Sequence, residues 1–496
     1  MKKFTITVIS LFMVLLISLS AVGEAMGTSS KYASNQDYIQ SENLALRDKS
    51  NKMTDGKDSS VCRFKTRNGG ESIIDLGESC DFNSVILKEK GLNVQKFSIS
   101  VSDDNENFTQ IYANDKIEFH RLCTFDTVKA RYVKLTVEKS DNLPKIREME
   151  IYNAVPEKKN DFRVSTYSTL GGSVFGIIDD TTLSDAEKDA KIKELIDADY
   201  YDTVTDYIDI GNVRWDEEGI IHTDGWDGIE RDEDKYYAVM MRNLHEVLDE
   251  KGVNLVITIL NPSGENGNQR VMKSITENRD TLITMIAFAN KYEFDGIDLD
   301  WEFPLSQDEF DAYNSFLQEL KARMKTEMWN KEDATLSLAL ATWALKYTPE
   351  TIECIDYVNV MGYDILDQDG QHSSFFSSCV QAADYIEIQG FSKEQINIGF
   401  PFYGTWEGGR MEQYAYNAIS EEISPFNNFY TMKKSDTKED RYTYFNSQAI
   451  IRDKTAYAYL KGYGGVMIFS QYCDLPSDDE RSLTKAISDY LQEVTK

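Results

Sequence analysis

Four acidic residues fall within eight positions of the segment FDGIDLDWEFP, residues 294–304. Asp298, Asp300 and Glu302 alternate with large apolar residues, which is typical of a β-strand whose two faces differ. Three carboxyl groups on one face of a buried strand cannot all ionise cheaply, so at least one should keep a proton near neutral pH. Glu302 comes last and is predicted to be that group. A carboxyl group with such a raised pKa can act as a general acid.

The apolar partners of these acids indicate which way the strand faces. Ile297, Leu299 and Trp301 share one face and are predicted to pack against helices. The acids would then point into a closed sheet, towards the end of the strand where barrel enzymes hold their chemistry. Asp295 is out of phase and is expected to face outward or to cap the strand entrance. A solvated acidic face and a Ca²⁺ or Mg²⁺ site are the alternatives left open.

The segments around this strand predict the elements that position it. From about residue 162, β-rich runs alternate with helical stretches, and eight such runs predict a (β/α)8 TIM barrel. The eight runs are FRVSTY, YDTVTDYIDI, NLVITIL, FDGIDLDW, TLSLALAT, DYVNVMGYD, INIGFPFYG and GGVMIFSQ. Ser306 with Glu309, and Ser184 with Glu187, have the spacing of helix capping boxes. An open doubly wound sheet is the alternative, but no glycine-rich phosphate loop supports it.

The N-terminal part has a different pattern, so the chain is predicted to be multidomain. Residues 28–155 contain short β-branched or alternating runs bounded by turn residues, which predict an all-β antiparallel sandwich. The polar segment NAVPEKKND then leads into the barrel, assigned to residues 160–496. The six cysteines match no zinc motif and are predicted to be buried free thiols.

The N-terminus and the net charge limit the location and the partners. Lys2 and Lys3 precede the apolar run FTITVISLFMVLLISLSAV, and small residues follow it. This order predicts a signal peptide over residues 1–25, cleaved near Ala25, and therefore a secreted protein with no membrane anchor after cleavage. A formal net charge of −31 over 496 residues argues against nucleic acid as a partner and favours a neutral or cationic substrate.

The acidic strand resembles a known family motif. DGIDLDWEFP is similar to the fourth-strand signature of family 18 glycoside hydrolases, the chitinase family. VMGYD, GFPFYG and GGVMIF resemble the sixth, seventh and eighth strands of that family and occur in the same order. The resemblance covers about residues 160 to 490. It implies cleavage of β-1,4 bonds in glycans that contain N-acetylglucosamine, with no cofactor.

The resemblance also implies roles for individual residues. Glu302 would protonate the glycosidic oxygen and later activate water, while the acetamido oxygen of the substrate attacks C1 and forms an oxazolinium ion. Asp300 would hold the acetamido N–H, Asp298 would support Asp300, and Tyr363 would orient the acetamido oxygen. The residues predicted to bind the sugar are Asp364, Met361, Phe469, Tyr403 and Tyr167.

Three segments depart from the family pattern. TILNPSGENG replaces the usual end of the third strand, DYIDIGNVRW is an atypical second strand, and Phe469 stands where a tryptophan floors the reacting subsite. None removes a proton-transfer group, but together they leave the substrate open. The alternatives are an endo-β-N-acetylglucosaminidase that acts on N-glycans and a non-catalytic chitinase-like lectin. Such lectins typically lack the acid that Glu302 supplies.

The N-terminal sandwich resembles a discoidin, or coagulation-factor C-type, domain, a group that includes the family 32 carbohydrate-binding modules. ESIIDLG, KFSISVSDDNENFTQIY, ARYVKLTV and IREMEIYN carry the likeness. It implies a glycan-binding domain, with a packing or spacer role as the alternative. These domains often hold a structural Ca²⁺, which would use Asp55 and Glu148. Lys57 stands where an Asp or Asn is common, so no metal is predicted.

Overall fold

The computed structural model describes most of the chain beyond the predicted signal peptide. It describes residues 38–495 except 68, 197–201, 225–228, 230, 279, 367–371, 374–375, 407–408, 419–423, 427 and 434–439. The predicted signal peptide, residues 1–25, lies outside this part and stays a prediction, which N-terminal sequencing of exported protein would check. None of the helices in the described part of the chain combines the length and hydropathy needed to cross a bilayer.

The N-terminal domain is an antiparallel β-sandwich, as the sequence predicts. Its strands are β1 (Cys62–Arg63), β2 (Gly70–Glu89), β3 (Val94–Ser102), β4 (Thr109–Asn114), β5 (Arg121–Ser140) and β6 (Lys145–Tyr152), in the order β1-β6-β2-β5-β3-β4. The sequence pattern predicts separate strands for ESIIDLG and for NSVILKE, which follows it, but both runs belong to the single strand β2. Its pairing with β5 is interrupted between Asp75 and Cys80, where the register between the two strands shifts.

The C-terminal domain is a closed barrel of eight parallel strands, one for each predicted run. The barrel strands are β7 (Arg163–Ser168), β8 (Asp206–Trp215), β10 (Asn254–Leu260), β11 (Gly296–Leu299), β12 (Thr335–Leu340), β13 (Tyr357–Val360), β16 (Ile396–Pro401) and β21 (Gly465–Phe469). Each pairs with the next, and β21 pairs with β7, which closes the ring. The prediction of a TIM barrel is therefore confirmed, and the open doubly wound sheet is wrong.

Helices surround the barrel and cover the apolar faces of its strands. They are α1 (Gly171–Ile178), α2 (Asp185–Ile196), α3 (Tyr237–Lys251), α4 (Gly267–Thr276), α5 (Asp280–Lys291), α6 (Gln307–Glu327), α7 (Pro349–Cys354), α8 (Phe376–Ile388), α9 (Gln448–Lys461) and α10 (Leu483–Thr495). The capping box of Ser306 and Glu309 forms at the start of α6. The capping box of Ser184 and Glu187 forms at the start of α2. This helix does not follow β7 directly, since the short helix α1 lies between them.

A small antiparallel sheet interrupts the barrel after β16 and was not predicted. Its strands are β17 (Tyr403–Trp406), β18 (Gly409–Ala415), β19 (Phe429–Lys433) and β20 (Asp440–Tyr444). Two-residue hairpin strands are β9 (Ile221–His222), β14 (Ile365–Leu366) and β15 (His372–Ser373). Short 3-10 turns span Leu44–Arg47, Lys331–Asp333, Lys393–Gln395, Tyr416–Ala418 and Gln471–Cys473. All six cysteines are free, but only Cys123 and Cys379 are buried, so the prediction of buried thiols is wrong for the other four.

Polar groups that are fully buried join the two domains. The Asp453 carboxylate on α9 accepts hydrogen bonds from the Tyr112 hydroxyl (2.5 Å) and from the Thr124 amide (2.8 Å) and hydroxyl (2.9 Å) of the sandwich. The Arg121 guanidinium lies 3.3 Å from the same carboxylate, and neither side chain is exposed to solvent. A charge buried in this way stabilises only while its partners are present.

Replacing Asp453 by alanine is therefore expected to lower the free energy of unfolding by about 3–5 kcal/mol. Arg121 would lose one of its two buried carboxylate partners and keep only Glu118, at 3.4 Å, while the buried donors of Tyr112 and Thr124 would lose their acceptor. Urea denaturation followed by circular dichroism would measure the change. The control is Asp126→Ala, which removes a carboxylate that is 90% exposed and lies 3.7 Å from Arg452 at the same domain boundary. The control should change stability by at most about 1 kcal/mol, and equal effects of the two substitutions would contradict the role of Asp453.

Candidate active site

The acidic strand is oriented as its alternation predicts. Ile297, Leu299 and Trp301 are buried in the core formed with the helices, and the Trp301 ring contacts Tyr313 of α6 edge-on at 5.1 Å. Asp298 has no solvent exposure and lies on the opposite face, inside the barrel. The Asp295 carboxylate accepts the Leu255 amide at 2.9 Å, at the strand entrance, so it does not belong to the inner set.

Asp298 is held by three hydroxyl groups inside the barrel. Ser337, Thr258 and Tyr167 donate to its carboxylate at 2.6, 2.8 and 3.0 Å. Burial raises the pKa of Asp298, and these three donors oppose that rise. Thr258 and Ser337 are the register partners of Asp298 on β10 and β12, which is why their side chains meet it. Sequence reasoning missed both residues, although they occupy inner positions of the neighbouring strands.

Asp300 and Glu302 follow on the same face and reach the mouth of the barrel. Burial raises the pKa of Asp300 well above its usual range, and the negative charges of Glu302 and Asp298 raise it further. Burial also raises the pKa of Glu302, to about 7, and the charge of Asp364 adds to the effect. The Asp300 Oδ1 atom is buried without a hydrogen-bond partner among the described residues. This pair can therefore hold a proton near neutral pH and offers an unused acceptor.

Aromatic rings form a floor beside the acids. Phe469 lies at its centre, with ring centroids at 5.9 Å from Tyr363 in a stacked arrangement, 5.9 Å from Tyr167 and 6.3 Å from Tyr403. The Tyr403 hydroxyl donates to Asp364 at 2.8 Å. The structure therefore gathers four of the five residues predicted to bind sugar, together with Tyr363. Such a surface suits the apolar face of a sugar ring.

Backbone packing fixes the position of Tyr363. A Cβ atom on Gly399 would lie 2.9 Å from the Tyr363 ring and 2.3 Å from the Val360 carbonyl oxygen, so only glycine fits there. Met361, the remaining predicted sugar-binding residue, is half-buried directly after β13, and its amide donates to the Leu340 carbonyl. Its placement at the strand end agrees with ordinary packing as well as with a site role.

The atypical third-strand segment supports the loop after Glu302. Residues 261–266 form a turn that leads into α4, and the Asn268 side chain donates to the Phe303 carbonyl (3.0 Å) and to Glu309 (3.1 Å). The same side chain accepts the indole N–H of Trp301 at 3.1 Å. Asn268 is thus a supporting residue that the sequence comparison with the family motif did not reveal.

The two acids considered for calcium lie together in the sandwich. The Lys57 amide donates to Glu148 at 2.8 Å and to Asp55 at 3.0 Å. Burial raises the pKa of Glu148 to about 7. Within the described ranges no group of three or more His, Cys, Asp or Glu residues is arranged to hold a metal ion. Both carboxylates accept the same backbone N–H, and that no metal binds at this turn stays a prediction.

Two parts of the sequence match known domain families. Residues 250–474 match the family model for glycosyl hydrolases family 18, and residues 29–149 match the F5/8 type C domain. The first match contains the third to eighth barrel strands with Glu302 and Phe469. The second match contains strands β1 to β5 of the sandwich and the first part of β6.

Curated relatives of the barrel include chitinases. Chitinase A1 of Niallia circulans is 27% identical over an alignment of 261 residues that covers 40% of this chain and 37% of that protein. The class V chitinase of Arabidopsis thaliana is 25% identical over an alignment of 196 residues that covers 34% of this chain and 52% of that protein. The matches thus span about half or less of the relatives' own lengths.

Solved structures of similar fold include a family 18 chitinase from the chitin utilization locus of Flavobacterium johnsoniae. That structure has a TM-score of 0.50 and 20% identity and is aligned over 68% of this chain and 96% of its own. A chitinase from Cycas revoluta in complex with (GlcNAc)3 has a TM-score of 0.50 and 17% identity, over 66% and 99% of the two chains. At these identities the likeness establishes the barrel fold and no more.

Proposed function

Because the chain carries a glycoside hydrolase family 18 barrel behind an F5/8 type C domain, we propose that it is an active hydrolase that cleaves β-1,4 bonds in N-acetylglucosamine polymers, in the manner of a chitinase. The observation that carries this proposal is the pair of Asp300 and Glu302 at the barrel mouth. One member has a pKa near 7, and the other offers an unused buried acceptor oxygen beside an aromatic floor.

In the first step, the protonated Glu302 gives its proton to the glycosidic oxygen as the bond from C1 to the leaving sugar breaks. The acetamido carbonyl oxygen of the substrate forms a bond to C1 and yields an oxazolinium ion, so no carboxylate of the protein needs to attack. Asp300 accepts the acetamido N–H through its free Oδ1. In this step the proton that the pair shares lies on Glu302 until it is transferred, so Asp300 carries the negative charge that stabilises the positive ion. Asp298 supports Asp300 from below, held by its three hydroxyl donors.

In the second step, the Glu302 carboxylate takes a proton from water, and the water oxygen adds to C1 on the face that the leaving sugar left. The oxazolinium ring opens, and the product keeps the configuration of the substrate. Phe469 supports the ring of the reacting sugar, and Tyr363, fixed by Gly399, orients the acetamido carbonyl.

The second candidate is an endo-β-N-acetylglucosaminidase that acts on N-glycans. Two features favour it: Phe469, which offers less stacking area than tryptophan, and the altered turn at residues 261–266. Glu302, positioned and protonatable, argues against a non-catalytic lectin.

The test compares hydrolysis of N-acetylchitohexaose with that of a high-mannose glycoprotein. We expect the oligosaccharide to be cleaved, with the β-anomer formed first, as retention requires. Anomer-resolving chromatography would detect the products. Release of the glycan alone would favour the second candidate, and binding of either substrate without turnover would favour the lectin. The Glu302→Gln protein serves as the inactive control.

A further inference from the structure

Below the acids, the inside of the barrel contains a continuous line of hydrogen bonds that starts at an arginine. At the strand entrances, the Arg163 Nε atom donates to the Asn397 side-chain oxygen at 3.2 Å, and the Asn397 amide group donates to the Asn359 side-chain oxygen at 3.1 Å. The Asn359 amide group donates to the Tyr167 hydroxyl at 3.1 Å, and this hydroxyl donates to Asp298 at 3.0 Å. The line therefore connects the entrances of the barrel strands with the acidic strand.

The barrel register brings the two asparagines together. Asn359 of β13 and Asn397 of β16 are register partners, and neither is exposed to solvent. Their neighbours along each strand pack against the helices, so both amides point into the barrel. Those neighbours are Val358, Val360, Ile396 and Ile398. Gly465 of β21 pairs with both Arg163 and Asn397, and a Cβ atom on it would lie 2.8 Å from the Asn397 oxygen, so only glycine lets these two side chains meet.

The chemistry of arginine fixes the direction of every bond in this line. A guanidinium group has donors and no acceptor, so the Asn397 atom that faces Arg163 must be its oxygen. The Asn397 nitrogen then faces Asn359, which must present its own oxygen and turn its nitrogen towards Tyr167. Because the Tyr167 hydroxyl accepts from that nitrogen, its single proton is directed to Asp298.

We propose that the line from Arg163 through the two asparagines to Tyr167, here called the Arg163 relay, keeps Asp298 ionised and so leaves the proton of the acidic strand at the barrel mouth. The proposed mechanism needs this distribution, because Glu302 must begin protonated while Asp300 is charged. The inference therefore rests on the proposed function. It adds Arg163 and the two asparagines as positioning residues, which act on the acids only through the Tyr167 hydroxyl.

The other groups around Asp298 were considered as sources of a change in its charge. Among the described residues, the titratable groups that interact with it are Asp300 on its own segment, Tyr167 on β7, Tyr313 on α6 and Tyr357 on β13. Burial raises the pKa of each of these tyrosines well above the usual range, so they stay neutral. At the strand entrances, Asp206 reaches Asn397 through the Ser165 hydroxyl. A change in the relay should therefore act on Asp298 and, through it, on Asp300.

The first test replaces Asn359 by aspartate, which has the same shape but turns a carboxylate oxygen towards Tyr167. The hydroxyl then has a second acceptor and Asp298 loses a donor, so Asp298 binds a proton more tightly. On N-acetylchitohexaose we expect kcat/KM to fall about tenfold and the acid limb of its pH profile to move up by about one pH unit. The control Asn243→Asp makes the same change at a fully buried position on α3 and should leave the acid limb in place.

Further variants separate the relay from a direct effect of the new charge and from misfolding. In the Tyr167→Phe protein the hydroxyl is absent, so adding Asn359→Asp should move the acid limb no further. Arg163→Met removes the group that fixes the direction of the bonds, at a partly exposed position that tolerates substitution better than the buried asparagine. It should move the limb in the same direction by a smaller amount, and Arg163→Lys, which keeps a donor and the charge, should restore most of that shift.

Neutron diffraction of the unaltered protein tests the relay without reference to activity, because it locates the hydrogen atoms of amides and hydroxyls. We expect the Tyr167 deuteron on the side of Asp298, and a deuteron directed at Asn359 would overturn the relay. Equal shifts of the acid limb with and without the Tyr167 hydroxyl, or lower activity of Asn359→Asp with an unmoved limb, would overturn it as well. An unaltered protein that hydrolyses no N-acetylglucosamine substrate, but has this deuteron on the side of Asp298, would overturn the proposed function and not the relay.

Discussion

Replacing Glu302 by glutamine is expected to lower kcat for N-acetylchitohexaose by about 10⁴-fold, the upper end of what one general acid–base group contributes. The effect is this large because Glu302 acts twice, as the acid that frees the leaving sugar and as the base that activates water. Glutamine has nearly the same shape, so KM should change little. Steady-state kinetics and calorimetric binding of the hexamer to the variant would measure the two quantities.

The pH profile adds a second measurement of the same residue. Burial places the pKa of Glu302 at about 7, and only its acid form can protonate the glycosidic oxygen. The value of kcat/KM of the unaltered protein should therefore fall about tenfold per pH unit above pH 7, and this limb should be absent from the residual activity of the variant. The control is Glu309→Gln, because glutamine also serves at the third position of a capping box. A Glu302→Gln loss below tenfold would contradict the assignment.

The sequence was sufficient to place the acids because strand periodicity is exact. Asp298, Asp300 and Glu302 alternate with residues that need a hydrophobic environment. Because Leu299 and Trp301 are buried against the helices, the acids must point to the opposite face, into the barrel. The same argument correctly separated Asp295 from the set. Gly399 was part of a recognised segment, but the reason for a glycine there is visible only when Tyr363 packs against it.

The partners of the acids could not be predicted because register between parallel strands is not local. Thr258 and Ser337 are about 40 residues away from Asp298 on either side, and the helices between them set the register. The same limit applies to Asn359 and Asn397, which meet only once β13 and β16 are paired. Periodicity assigns a residue to a face, whereas a neighbour across the sheet depends on the whole fold.

The contacts between the two domains could not be predicted from the sequence either. Asp453 lies in a helix whose pattern is that of ordinary packing, and Tyr112 belongs to a strand more than 300 residues earlier. Glu118 of the sandwich accepts the Ser377 amide at 2.7 Å at the start of α8, the helix that packs behind Gly362 and hence behind Tyr363. The sandwich therefore supports the barrel beside the candidate site, which agrees with the packing alternative and does not oppose glycan binding.

Asp300 is the residue whose replacement by asparagine should have the second-largest effect, a loss of about 10²–10³-fold in kcat, comparable to removing one electrostatic contact to a reacting centre. Asparagine cannot supply the negative charge that faces the oxazolinium ion, and its amide group can present N–H to the acetamido N–H that Asp300 accepts. Because that charge develops in the transition state, the loss should appear in kcat more than in KM.

The matched control for this prediction is Asp295→Asn on the same segment. The Asp295 carboxylate accepts the Leu255 amide at the opposite end of the strand, and an asparagine oxygen can accept it equally well. Kinetics of both variants on the hexamer should therefore differ by at least tenfold. If Asp295→Asn lost as much activity as Asp300→Asn, the loss would reflect damage to the strand. The acidic residues would then have only a structural role. If catalysis depends on the negative charge of Asp300 at the barrel mouth, removing the charge of Asp295 at the strand entrance cannot lower kcat by the same factor.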